Sequence, residues 1–253
     1  MPSWINCTGA RRYPDAPDEC DSKPATGDAL LVDLLKNFFR RAPAPTTLLE
    51  GSVRRLHLGC GTDIREGWIN LDAQKLPGVD VVADLDDCRR HPLPFPANSF
   101  DEFLCSHVLE HLRDALGFMQ EMHRIATPGA VITIHVPYGS SDDADEDPTH
   151  VRRLFLYSFS YFSQRGYWYA DYGYSGDWDV ENIVLTVDAV RHAGKNFDQI
   201  YEEIRSQRNV VLEMIATLKA VKPARARGVR GKSQDMRIEI KHVQPKSPLQ
   251  NGL

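Results

Sequence analysis

Three groups of residues in this chain have types and spacings that chemistry could use. The first is Leu56-His57-Leu58 running into Gly59-Cys60-Gly61-Thr62, with Asp72 about a dozen positions on and Asp84 beyond. Paired glycines let backbone amides approach a ligand that a Cβ would hold off. A strand-end carboxylate accepts hydrogen bonds without donating, which suits a ribose diol. The second group is His107-Val-Leu-Glu110-His111, an H-x-x-E-H spacing shared with one class of zinc proteases. The third is Asp147-Pro-Thr-His150, where a rigid proline separates an acid from a histidine and can present both into a cleft. Imidazole titrates near neutrality, so His107 and His150 are the candidate catalytic residues.

The elements that must position these groups read as an α/β series. Short apolar runs at Val53–Leu58, Trp68–Asp72, Val79–Asp84, Phe100–Cys105 and Ala130–Val136 are expected as strands covered on both faces. A helix is expected from near His107, through Val108, Leu109, Leu112, Leu116, Met119, Met122 and Ile125, to a stop at Thr127-Pro128-Gly129. A short helix over Tyr157–Arg165, a strand at Ile183–Val187, a helix from Phe197 to about Leu218 and a last strand at Met236–Val243 complete the series. It implies a doubly wound, Rossmann-like sheet of about seven strands, helices on both faces, with the last strand antiparallel.

The expected domain layout is an irregular arm at 1–26, a helix at 27–45, a core domain at 46–245 and a polar tail at 246–253. Within the core domain, 138–150 forms a lid and 195–221 a helical insertion. The leucine and phenylalanine stripe of the first helix must be covered. Core packing is the plain reading, a lid or a homodimer contact the alternative.

The chain has 253 residues, 42% of them hydrophobic, enough for one full core. A formal net charge of −5 disfavours a broad nucleic-acid footprint. Five cysteines without a C-x-x-C spacing read as a reducing, cytoplasmic setting. No apolar stretch reaches the ~18 residues of a membrane span, so no membrane association is expected. No metal is expected either. The acidic run Asp142–Asp147 lacks the glycine and distant glutamate of a calcium loop and reads as a solvated lid. The H-x-x-E-H letters lack an indicated third ligand, although His123 or His150 could be proposed. A dinucleotide cofactor is disfavoured because Thr62-Asp63-Ile64 follows the turn where a third glycine belongs.

Taken together, LHLGCG at 56–61, WINLD at 68–72, DL at 84–85, PLPFPANSFDEF at 92–103, HVLEHL at 107–112 and PGAVITIHVP at 128–137 resemble the class I S-adenosylmethionine-dependent methyltransferases. The DPTH element at 147–150 points to the small members acting on small molecules. The resemblance covers roughly residues 53–187. It implies S-adenosylmethionine as cofactor, with Gly59 and Gly61, and Cys60 between them, at its methionine part. Asp72 would take the ribose hydroxyls, Asp84 and Leu85 would flank the adenine, and Ser106 and His107 would face the methyl group. His57 stands where the family carries an acid, which leaves backbone carbonyls or Asp63 to hold the cofactor's ammonium. Tyr138, Asp147, Tyr172 and Trp178 are the candidate substrate contacts. The implied reaction is methyl transfer to oxygen, nitrogen or carbon of a sugar, nucleotide-sugar or secondary metabolite. Alternatives are a nucleic-acid or protein acceptor, and a non-catalytic binding subunit. Cys105-Ser106-His107 replaces the N/D-P-P-Y/F motif of base-modifying relatives, which counts against a polynucleotide.

Overall fold

A computed structural model describes residues 53–166, 172–226 and 236–244. The expected arm at 1–26, the helix at 27–45, the tail at 246–253 and the aromatics Tyr167, Trp168 and Tyr169 lie outside the described residues.

Among the described residues, eight strands form one sheet: β1 (Arg55–Leu58), β2 (Ile69–Asp72), β3 (Val81–Val82), β4 (Phe100–Ser106), β5 (Ala126–Val136), β6 (Trp178–Asp188), β7 (Val211–Ala220) and β8 (Arg237–Val243). Their order is β3-β2-β1-β4-β5-β7-β6-β8. β1 pairs parallel with both β2 and β4, so the winding reverses there, and such reversals open a ligand crevice at the carboxyl ends of the strands. This is the expected α/β sheet with helices on both faces. The antiparallel strand is β7, paired with β5 and β6, whereas the last strand β8 runs parallel to β6. The expectation of a reversed last strand is corrected: the reversal comes one strand earlier.

Four element assignments change, each for a physical reason. The helix expected from His107 is α1 (Ala115–Ile125), begun by Asp114, whose side chain accepts from the Gly117 amide. Between β4 and α1 the chain turns irregularly, and His107 itself has a φ of 53°. Leu109 and Leu112 are buried there without being helical, so their spacing imitated a helical stripe. The run expected as one helix from Phe197 divides into α3 (Phe197–Ser206) and strand β7. A one-turn helix, α2 (Asp143–Glu146), precedes α3 in the chain. An Asn196–Gln199 capping box starts α3, and Asn209, at φ 56°, stands in the turn that follows. From Met214 to Ala220 alternate residues are buried, because β5 and β6 flank the segment and override the helix propensity of Leu, Glu, Met and Lys.

Thr127-Pro128-Gly129, expected to stop a helix, lies instead inside β5 as a bulge. The register with β4 jumps there from Phe100↔Ala126 to Glu102↔Val131, and Gly129 has a φ of 80°. The helix expected at Tyr157–Arg165 is a shorter 3-10 turn, Ser158–Phe162. The core runs along both sides of the sheet and includes Leu56, Leu58, Phe103, Phe118, Met119 and Trp178. Trp178 is fully buried and donates from its indole to the Met119 carbonyl at 3.0 Å. It belongs to the core, which corrects its expected place in a substrate wall. Among the described residues no helix is long and apolar enough to cross a membrane.

Candidate functional site

The glycine turn leaves the carboxyl end of β1 and is fastened to β2. Cys60 donates its amide to the Leu71 carbonyl at 3.0 Å. Asp72, last residue of β2, accepts the Gly61 amide on Oδ2 and the Gln74 amide on Oδ1, both at 2.8 Å. Each carboxylate oxygen retains a lone pair beyond these bonds. The backbone takes left-handed values at both glycines, with φ of 61° at Gly59 and 51° at Gly61. A Cβ on Gly59 would stand 2.3 Å from Val108 Cγ2, whereas one on Gly61 would meet nothing within 4 Å. Gly59 therefore serves packing, and Gly61 borders open space in which a ligand can approach the backbone.

These differences give a paired expectation. Gly59→Ala combines left-handed strain with a clash against a stiff β-branched side chain and should cost about 2–3 kcal/mol. Gly61→Ala should cost no more than the ~1–2 kcal/mol of the backbone strain. Thermal melting of the two variants checks the order; equal midpoints would remove the distinction.

The other expected cofactor residues divide by exposure. His57 is buried, its Nδ1 has no hydrogen-bond partner, and burial followed by Arg65 pulls its pKa down. Cys60 is buried and its thiol is pushed up by burial, so it fills space without acting as a thiolate. Asp63 is exposed and pairs with Arg65 at 3.2 Å. Asp84 is exposed and accepts the Asp86 amide at the head of a 3-10 turn, Leu85–Asp87, in which Leu85 points into the core. Ser106 closes β4, half-buried.

His107 lies half-exposed just past Ser106. Its Nε2 is 3.0 Å from Glu213 Oε1, and its Nδ1 is 3.3 Å from Glu110 Oε1. The carboxylates of Glu110 and Glu213 raise its pKa to about 9 against the opposing effect of burial. His107 and His135 in turn hold Glu213 down to about 2. A ring drawn toward protonation on both nitrogens in this way has no lone pair to offer as a base. The two histidines of the H-x-x-E-H spacing do not share a helical face, because this segment is not helix. His111 turns instead toward His150, with ring centroids 4.7 Å apart. His123, the other conceivable ligand, donates from Nε2 to the Val221 carbonyl at 2.9 Å and is structural.

Asp147 accepts the Thr149 amide and hydroxyl on Oδ1, and these bonds hold its carboxyl below the ordinary value. The acidic run is tied down: Asp142 accepts from Arg208 and Asn209, and Asp145 from Arg153. Tyr138, one position past β5 and Pro137, lines a cleft of about 520 Å³ together with Phe155, Tyr157, Tyr161, Tyr201 and Arg205. Sequence reasoning missed Tyr157, Tyr161 and Tyr201, since single tyrosines in irregular or helical segments carry no spacing signal. Tyr172 is exposed and is not among the residues lining this cleft.

A family model described as a methyltransferase domain matches residues 45–134. Ajmaline N-methyltransferase from Rauvolfia serpentina is 31% identical over a match that covers 31% of this chain and 30% of that enzyme. The chain thus matches about a third of the curated relative's length. Among solved structures, a SAM dependent methyltransferase from Archaeoglobus fulgidus is similar at 15% identity, covering 76% of this chain and 94% of its own, with a TM-score of 0.47. An S-adenosylmethionine dependent methyltransferase from Mesorhizobium loti is similar at 13% identity, covering 74% and 96%, with a TM-score of 0.43. Residues 45–134 match a methyltransferase domain, and the sheet order is that of the class I methyltransferase fold.

Proposed function

We propose that this protein transfers a methyl group from S-adenosylmethionine to a small-molecule acceptor. One observation carries the reading: a strand-end carboxylate, Asp72, is locked beside an open glycine turn at the point where the sheet reverses. Bound there, the cofactor supplies an electrophilic methyl group on a sulfonium. Asp72 has the lone pairs to accept both ribose hydroxyls, and the turn at Gly61 leaves room for the cofactor against the backbone. Asp84 stands exposed to receive a polar group of the adenine end, and Ser106 marks the strand end facing the methyl. His57 offers a neutral buried ring where relatives place an acid, so the cofactor's ammonium falls to backbone carbonyls or to Asp63.

His107, hydrogen-bonded to Glu213 and facing the charge of Glu110, orders the mouth of the site and takes no proton. The enzyme's contribution is then mainly positioning, which can supply a large part of the barrier reduction for an in-line displacement. The tyrosine-lined cleft that includes Tyr138, just past the end of β5, is of a size that suits a small acceptor. An amine acceptor arriving neutral would need no base, and a nitrogen acceptor is the kind named for the Rauvolfia relative.

Calorimetric titration of the full chain with S-adenosylmethionine, S-adenosylhomocysteine and NAD tests the reading. Micromolar binding of the first two and none of NAD is the expected result. Absence of binding by either sulfur ligand would overturn it.

A further inference from the structure

Glu110, His111 and the D-P-T-H stretch line neither the glycine turn nor the tyrosine cleft, yet they meet in space. The Val151 amide donates to the Glu110 carbonyl at 2.9 Å and fastens the end of the D-P-T-H loop to the turn that carries Glu110 and His111. Glu110 is 1% exposed, and neither of its carboxylate oxygens has a hydrogen-bond partner. Its contact with His107, at 3.3 Å, is one of charge without hydrogen-bond alignment. His107 supplies one nearby positive charge, but neither oxygen of this buried carboxylate has an aligned donor, and a bound cation would satisfy both.

Hydrogen bonds at Nδ1 fix where each of the two neighbouring rings carries its proton. His150 Nδ1 lies 3.3 Å from the Ala144 carbonyl, which can only accept, so Nδ1 carries the proton and Nε2 the lone pair. Thr149 Oγ1 gives its proton to Asp147 at 2.6 Å and therefore accepts from His111 Nδ1 at 2.9 Å. That leaves the lone pair of His111 on Nε2 as well. An outer oxygen on the Nδ1–H of each ring is the arrangement that fixes metal-binding imidazoles. One donor atom each from Glu110, His111 and His150 lies within 4.8 Å of the others.

We propose that Glu110, His111 and His150 bind a divalent first-row transition ion, zinc foremost. Two imidazoles and one carboxylate are a borderline N/O donor set suited to such ions. Ligand distances of ~2.1 Å bring donors to within ~3.4 Å of one another, so small rotations of the two rings close the site. Three protein ligands leave a coordination position for water or for an oxygen of a substrate. Asp147 Oδ2, 3.8 Å from His150 Nε2, stands at the rim as a further oxygen. His107 retains Glu213 as its partner when Glu110 turns to the ion. The competing reading makes Glu110 only the counter-charge of His107.

The test is titration of the chelator-treated full chain with Zn²⁺ by calorimetry, repeated with Co²⁺ followed by visible absorption. About one ion per chain is expected, with Glu110→Gln and His150→Gln each weakening Zn²⁺ at least ~10-fold. His107→Gln removes the positive charge that competes for Glu110 and should not weaken Zn²⁺, whereas a loss of binding as large as in Glu110→Gln would overturn the assignment of Glu110 as a ligand. Melting curves without metal show whether each variant folds, and His111→Gln carries the test if Glu110→Gln does not. No saturable binding, or an affinity unchanged in the folded variants, would overturn the site. Metal binding is read without cofactor or turnover, so its failure leaves the methyl-transfer reading untouched.

Discussion

Replacing Asp72 with alanine is expected to weaken S-adenosylmethionine binding by at least ~100-fold while the chain remains folded. Each hydrogen bond from a ribose hydroxyl to a carboxylate contributes about 1.5–3 kcal/mol, and the proposed pose makes two. The loss converts to affinity at about 1.4 kcal/mol per factor of ten. Asp72 also organises the turn itself, because its two oxygens hold the amides of Gly61 and Gln74. Alanine therefore removes the ribose acceptor and loosens the turn together. Asp72→Asn separates the two effects. It keeps an acceptor oxygen but places an amide where a second acceptor was, and should lie between wild type and alanine. Calorimetry measures the affinities and melting without ligand reports the fold. A folded Asp72→Ala chain that binds S-adenosylmethionine within about threefold of wild type would remove Asp72 from the cofactor site.

The largest loss of stability is expected at Asp177, on the far side of the structure from any catalytic reading. Its side chain is fully buried and accepts from the Gln164 amide at 3.0 Å, the Arg225 amide at 2.9 Å and the Arg225 guanidinium at 2.7 Å. Arg225 also reaches Asp179. This one cluster ties the 3-10 turn after α2, the start of β6 and the segment after β7 together. Asp177→Ala would strand a largely buried guanidinium beside a single remaining carboxylate and leave two amides unpaired, a loss of about 3–5 kcal/mol. Chemical denaturation checks the figure, and a change below about 1 kcal/mol would show that water replaces the lost oxygens.

The same group sets an acid limit. Burial pushes the Asp177 carboxyl up, but the Arg225 guanidinium and the amides of Arg225 and Gln164 outweigh it, and the net pKa is lowered. A depressed folded pKa contributes stability that is fully present above the unfolded value, near 3.9, and is lost as pH falls through the folded value. The wild type should therefore lose this contribution only below about pH 4, and Asp177→Asn should lack that part of the acid transition.

Much of the architecture was legible from residue order. Short apolar runs bounded by turn residues gave β1, β2 and β4 within two or three positions, because strands buried on both faces must be apolar throughout. The glycine turn and Asp72 were legible for a related reason. Left-handed backbone calls for glycine, and the carboxylate follows at a distance set by one crossover.

What sequence could not decide depended on neighbours distant in the chain. Val211–Ala220 is strand because β5 and β6 flank it, whereas its own side chains favour helix. Leu109 and Leu112 were legible as buried but not as non-helical, since burial spacing does not report backbone shape. The fate of the histidines was wholly tertiary. His107 meets Glu213, which stands on β7, and His111 meets His150 across a loop. Ring protonation and lone-pair direction follow from those partners. Residue order determined which chemical groups this protein carries and the strand ends that hold several of them. Only the packed sheet decided which groups meet, because hydrogen bonds and charge pairing act over a few ångströms of space, whatever the separation along the chain.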